Sequence, residues 1–496
     1  MAQHIDVLII GAGISGIGMA AHLSKHCPNR DFTIIERRES FGGTWDLFKY
    51  PGIRSDSDMS TFGFNFKPWQ KANVLADGPS IKGYVGEVID QFKLKEKIHF
   101  NHRVLTANYD SQQKQWLVEI ENDQGKKQTW SANFVIGCTG YYNYDQGFQP
   151  EFPNQSAFKG EFIHPQHWPE NLNYRGKKVV IIGSGATAIT LVPAMAKGGA
   201  EHVTMLQRSP TYIASIPSID FVYEKMRKVL PEDLAYKLTR ARNIGVQRAV
   251  YALAQKQPQL VRKLLLKAIE RQLRGTVDMK HFTPDYNPWD QRLCVVPDGD
   301  LFKILRSGKA SVETDQIEKI TENGILLKSG KHLDADIIVS ATGLNIQIMG
   351  GVKATIDDKP IDTSKHMMYK GVLLSDIPNM AMIIGYINAS WTLKVDIAAE
   401  YICRLLNHMD KNGLDEVVAQ GDASELIEDT IMGRLSSGYI ARAADVMPKQ
   451  GKHAPWQITN NYLADRKELK NAEFSDSVLK FHNQNDTQAR KPRLAS

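Results

Sequence analysis

Residues 5–16 read IDVLIIGAGISG. The run from Ile5 to Ile10 is almost wholly apolar, as a parallel strand buried on both faces must be. It enters a turn holding Gly11, Gly13 and Gly16, and a helical stretch, IGMAAHLSKHC, follows. A second strand, FTIIE, ends at Glu36, twenty residues after Gly16. Strand, glycine turn, helix, strand and terminal acid together make the full fingerprint of a dinucleotide fold. Gly11 permits the tight turn, Gly13 lets backbone approach a pyrophosphate, and Gly16 brings the helix close to the sheet. Free N–H groups at the helix start face the phosphates. Glu36 is then placed to accept hydrogen bonds from ribose hydroxyls.

The pattern returns once, with one change. KKVVIIG (Lys177–Gly183) is a strand, GSGATA supplies Gly183, Gly185 and Ala188, and a helix leads to the strand HVTMLQRSP. Twenty residues after Ala188 stands Arg208, where the first unit has an acid. An acid repels a 2′-phosphate, whereas a guanidinium binds it in a bidentate fashion. A charged hydrogen bond of this kind is worth about 1.5–3 kcal/mol, or roughly one to two powers of ten in affinity. The first site is therefore expected to hold a 2′-hydroxyl nucleotide, FAD, and the second NADPH. Ser209 and Thr211 lie within reach of the same phosphate; an ordinary exposed arginine is the plainer reading of Arg208. Two further strands, in ANFVIGCTGYY (Ala132–Tyr142) and ADIIVSATGLN (Ala335–Asn345), end in small glycine-containing turns. They read as the points where the chain passes between the two nucleotide domains, with Thr342 and Gly343 against a nucleotide.

Bulk properties narrow the class. The 496 residues are 42% hydrophobic and 23% charged, as in a soluble globular protein of several domains. No signal-peptide pattern opens the chain and no window reaches 18 apolar residues, so a cytoplasmic address is expected. The four cysteines, Cys27, Cys138, Cys294 and Cys403, are far apart. They signal neither a zinc site nor a redox-active pair, which argues against a disulfide reductase. The net charge of +6 is concentrated: Phe221–Lys280 holds 14 Lys and Arg against 5 Asp and Glu, leaving the rest slightly acidic. That distribution argues against a nucleic-acid-binding protein.

The choice among flavin chemistries rests on FKGEFIHPQHWPE (Phe158–Glu170). Phe158, Gly160, His164, Trp168 and Pro169 have the spacing F-x-G-x-x-x-H-x-x-x-W-P, which resembles the fingerprint of Baeyer–Villiger monooxygenases. It sits on the linker between the two nucleotide turns, as in that family. Gly160 lets the backbone bend and Pro169 stiffens the exit; the resemblance implies that the motif positions NADPH. A linker packed by aromatics with no redox role is the alternative. GGTW (Gly42–Trp45) and YPGIRSD (Tyr50–Asp56) also match, on which basis the chain is most similar to the ethionamide-activating branch.

The resemblance implies that Gly43, Thr44, Trp45 and Val104 contact FAD, that Asp56 faces the active site, and that Arg292 of NPWDQRLC lies beside the flavin. Relatives often carry Lys-Arg where this chain has Gln291-Arg292, which leaves one NADPH phosphate contact open. The implied reaction uses NADPH and O2 to insert an oxygen atom beside the carbonyl of a small hydrophobic ketone by way of a C4a-peroxyflavin, with sulfoxidation of sulfides at the side. Arg292 would stabilise the oxyanion, with Asp56 holding it. Within SDSD, Asp56 is equally a turn or capping acid, and Arg292 a structural ion pair. An S- or N-oxygenating flavin monooxygenase and a non-catalytic flavin and NADPH sensor are the rival readings.

IIGYINASWTLKVDIAAEYICRLL (Ile383–Leu406) reads as strand, turn and amphipathic helix, with Asn388 and Trp391 as pocket candidates and core packing an equal reading for Trp391. The expected class is α/β, two dinucleotide-binding domains with the second inserted in the first. The FAD domain spans 1–145 and 341–470, a linker 146–176, the NADPH domain 177–340 with a helical insertion at about 215–280, and a disordered tail 471–496. The basic insertion, whose segment Gln259–Leu273 is strongly amphipathic, is either a lid with a solvated face or a peripheral membrane contact.

Overall fold

A computed structural model describes residues 3–433 and 438–483. The strand Gln3–Ile10 pairs in parallel with Phe32–Ile35 on one side and with Lys127–Gly137 on the other. Lys127–Gly137 continues antiparallel to Gln115–Asn122, which pairs with His102–Asp110. After the second domain the chain returns to this sheet: Lys353–Ile356 joins His102–Asp110, and Met380–Met382 lies parallel to Lys127–Gly137. One sheet is thus built from both ends of the chain. The long helix Trp391–Asn412 covers it beside the first helix, Ile14–His26.

The second sheet is wholly parallel, in the order Ala310–Thr314, His202–Gln207, Lys178–Ile182, Ile337–Ser340, Glu161–Ile163. The α/β architecture is therefore two dinucleotide-binding domains, one inserted in the other. The insertion lies between the paired strands Ile213–Ile216 and Cys294–Pro297 and contains the helices Phe221–Met226, Glu232–Lys256 and Pro258–Leu273.

Two readings of local sequence need correction. Glu161–Ile163, read as part of the linker, is the edge strand of the second sheet, paired through Ile337↔Glu161. Three residues are too few to display an alternation. The tail is not featureless from residue 471: Leu479–His482 pairs with Glu416–Ala419. The buried Leu479 and the packed Phe481 anchor it, two apolar side chains diluted in a polar run. Residues 484–496 lie outside the described residues.

The two crossings between domains run side by side. Asn143 N–H donates to the Asn345 carbonyl (2.8 Å), Gln347 N–H to Tyr141 (3.0 Å) and Phe148 N–H to Gly343 (3.1 Å). A loop of the first domain also docks on the second: Leu47, Phe48 and Tyr50 are buried in the second domain's core. Gly52 (φ +80°) lies so close to the helix Ala186–Lys197 that a Cβ would stand 2.7 Å from Ala194 Cβ.

Candidate active site

The first turn is shaped by contacts that exclude side chains. Gly11 has φ +105°, and a Cβ there would sit 2.8 Å from the Cys138 carbonyl oxygen; at Gly16 it would sit 1.9 Å from that of Gly11. Gly13 faces Gly43 (φ +57°), where a Cβ would come 3.0 Å from Gly13 Cα. Together they leave a bare backbone floor. Glu36 closes its far end, buried, accepting N–H groups of Ala12 (2.8 Å) and Arg38 (2.9 Å). Burial raises its carboxyl above the usual range against those two hydrogen bonds. One lone-pair side of each oxygen remains to face a ligand.

From this floor a cleft runs between the domains. It is lined by Thr44, Trp45, Val104, Asp56 and Arg292, as the sequence leads one to expect, and also by Tyr50, Arg54, Tyr141, Tyr142 and Thr187. Of these added residues Tyr50 and Arg54 sit inside the quoted YPGIRSD, Thr187 inside GSGATA, and the tyrosine pair ends the first crossing turn, but their roles rest on residues remote in sequence. Arg54 donates to Asp300 (2.7 Å), joining the loop that carries Asp56 to a helix of the second domain. Burial lifts Tyr50 and Tyr142 to about 12, so both hydroxyls stay protonated.

Arg292 makes no ion pair within 4.0 Å among the described residues. Burial opposes its charge, and the negative Asp56 with the oxygens of Tyr141, Tyr439 and Tyr142 outweighs it, holding the guanidinium protonated well above its usual range. Asp56 therefore acts on Arg292 through the field across the cleft. The capping role in SDSD belongs to Asp58, which accepts the Thr61 N–H (3.1 Å) at the start of the helix Met59–Phe62.

Trp391 lines the cleft, and its indole N–H donates to Ser15 Oγ (2.7 Å), between Gly13 and Gly16 of the first glycine motif. Its ring packs so closely on Gly385 that a Cβ there would lie 2.2 Å away. Trp391 thus borders the cleft and packs against the first domain's core. Asn388 does not line the cleft: its amide donates to the Asn460 carbonyl (2.9 Å), and the turn that exposes its neighbours directs it elsewhere.

In the second unit, Gly183 has φ +136° and would place a Cβ 2.3 Å from the Ala341 carbonyl oxygen. Gly185 meets nothing within 4 Å, and Ala188 is buried against the sheet. Arg208 follows the strand His202–Gln207, exposed and without an ion pair among the described residues. Ser184 Oγ donates to the Ser209 carbonyl (3.0 Å), pinning the loop with Arg208 beside the glycine turn.

The linker motif works as a clasp. Phe158 packs on the second sheet, and a Cβ at Gly160 would lie 2.2 Å from the Asp336 carbonyl oxygen. The His164 ring lies on Gly147, where a Cβ would come within 2.1 Å. Burial lowers the His164 pKa, and its two partners fit the neutral ring. Nδ1 accepts the Gln166 N–H (3.2 Å) while Nε2–H donates to the Gly343 carbonyl (3.2 Å). Gln166 adds a bond to the Asn143 carbonyl (2.8 Å). Thr342 Oγ1 donates to Phe148 (2.7 Å), so Thr342 and Gly343 hold the crossing rather than line the cleft. Trp168 packs against the second core, followed by the exposed Pro169.

A cleft between two dinucleotide-binding domains, floored by one glycine turn and walled by the other domain, defines the two-dinucleotide flavoprotein class. Within it, a family described as flavin-binding monooxygenase-like matches residues 4–429, and the chain belongs to that family. It is 78% identical, over 100% of both chains, to "Probable FAD-binding monooxygenase AlmA" of Acinetobacter baylyi. Identity to the FAD-containing monooxygenase EthA of Mycobacterium tuberculosis is 50%, over 97% of this chain and 98% of the other. Among solved structures, an oxidized steroid monooxygenase bound to NADP matches with a TM-score of 0.77 at 20% identity, covering 97% of this chain and 100% of that one.

Proposed function

We propose that the protein is an FAD-, NADPH- and O2-dependent monooxygenase that converts a hydrophobic ketone to an ester. The bare floor of Gly11, Gly13 and Gly43, with Glu36 at its end, fits a dinucleotide bearing free ribose hydroxyls, as FAD does. Relatives named as FAD-binding and FAD-containing, and a like-folded enzyme bound to NADP, support both cofactors. Bound there, the flavin supplies the chemistry that takes electrons from NADPH and passes an activated oxygen atom to substrate. Arg208 recognises the 2′-phosphate, and Gly185 leaves room for the pyrophosphate. The clasp through His164 sets how the NADPH domain stands against the first.

One observation carries the reaction type: a permanently charged Arg292 in the same cleft as the FAD floor, its charge reinforced by Asp56. A fixed cation beside a substrate carbonyl stabilises the negative charge that develops on its oxygen, and loss of such a group costs about 10²–10³ in rate. Trp391, Tyr141 and Tyr142 exclude water from the carbonyl. The test is Arg292→Ala. The variant is expected to keep its yellow flavin and NADPH oxidation while ester formation from 2-decanone falls about 100-fold or more. Ester yield at the parental level would overturn the assignment.

A further inference from the structure

Ten of the twelve large apolar side chains most open to solvent among the described residues lie between Phe221 and Leu264, on the helical insertion. The helix Glu232–Lys256 has its inner face fixed. Arg240 donates to the carbonyls of Ser60 (2.8 Å) and Gly63 (2.7 Å), and Tyr236 donates to Ser60 (2.9 Å). Its solvent side instead carries Leu234, Leu238, Val246, Val250 and Leu253. This reverses the usual amphipathic arrangement, in which the polar face meets water. From Leu234 to Ile269 there is no Asp or Glu, against eight Lys and Arg. Lys237, Arg248, Lys256, Lys263 and Lys267 among them are exposed.

The geometry points to this face as a docking surface for an anionic lipid bilayer. Apolar side chains flanked by bases, with the exposed acids Glu232, Asp233 and Glu270 confined to the ends of the stretch, suit helices lying in the headgroup plane. No helix among the described residues is long and apolar enough to cross a membrane, so the insertion lies on the surface. A second copy would set bases against bases, and a nucleic acid would leave the apolar stripe uncovered. Through Arg240 the docked helix is tied to the segment just after Asp56, and Tyr251 packs edge-on against Trp289 (6.0 Å), in the chain segment that leads to Arg292. Docking therefore brings the protein to a reservoir of apolar substrate. That last step rests on the proposed reaction; the docking does not.

The test is sedimentation of the full chain with vesicles of phosphatidylcholine alone or mixed with phosphatidylglycerol. The protein is expected to bind the phosphatidylglycerol vesicles, less so at high salt. The triple variant K256Q/K263Q/K267Q should lose about 100-fold in partitioning, since each base near an anionic surface is worth roughly a factor of five. The variant L238S/V246S/L253S, altered only at exposed positions, should lose about 10-fold with an unchanged circular dichroism spectrum. Failure to bind phosphatidylglycerol vesicles would overturn the proposal, as would binding that neither variant weakens. Without vesicle binding, a dimer dissolved by the apolar variant would assign the face to a second copy, and retention on nucleic acid would assign it there.

Discussion

Arg208 and Glu36 hold the same place in the two nucleotide units with opposite charge, and sequence finds both positions because each lies a fixed count from a glycine turn. Arg208 is exposed and free of an ion pair among the described residues, so removing it disturbs nothing but a ligand. Arg208→Ala should raise the KM for NADPH about 10- to 100-fold and leave that for NADH nearly unchanged; equal effects in steady-state kinetics would remove Arg208 from the phosphate site. Other residues acquire their roles only in the fold. Arg54 meets Asp300 across 246 positions of sequence, and nothing in YPGIRSD announces that partner. Asp46 is held by Lys82 (2.6 Å) and Arg38 (2.7 Å). Burial pushes its carboxyl up, but the two cations outweigh burial and the net shift is downward from 3.8. A depressed folded pKa means that the unfolded chain takes the proton first. Its stabilisation is therefore complete above about pH 4 and is lost as the pH falls below that. Asp46→Asn should cost about 1–3 kcal/mol near neutrality and flatten the acid limb of stability measured by urea unfolding. An acid limb identical to the parent's would contradict this.

At the scale of elements, the linker motif shows how a pattern can be read without its mechanism. Its spacing was plain in the sequence. That Gly160 admits an edge strand, and that His164 clamps Gly343 onto Gly147, depended on chain more than 170 residues away. Two glycines separate folding from binding. At Gly160 an added Cβ would meet the Asp336 carbonyl at 2.2 Å, so Gly160→Ala should destabilise by about 1–3 kcal/mol in thermal unfolding. At Gly185 an added Cβ meets nothing within 4 Å. Gly185→Ala should therefore melt like the parent while binding NADPH about 10-fold or more weakly, because the methyl enters space reserved for pyrophosphate. A Gly185→Ala protein with parental NADPH affinity would show that the space serves another purpose. Asn388 marks the limit of such reading: a tight turn exposes residues in an order that sequence alone does not give.

For the whole molecule, the domain count and the insertion of one nucleotide domain in the other follow from two glycine turns and two crossing turns. The relation between the domains does not, because it rests on side chains brought from widely separated segments. The loop at Gly52 sits on the second domain's helix, and Arg54 binds Asp300. The antiparallel crossings are clasped by His164 and Gln166, and Arg442 stacks 3.5 Å from the centre of the Phe148 ring beside them. These contacts join the domains around the cleft that Arg292 and Asp56 line together with the floor of the first turn, and the proposed chemistry depends on that arrangement. The most direct test is turnover of 2-decanone with NADPH under ¹⁸O2, followed by mass spectrometry of the product. The account predicts an ester carrying one labelled oxygen, with NADPH consumed in equal amount. NADPH oxidised to hydrogen peroxide alone, or an ester without label, would contradict it.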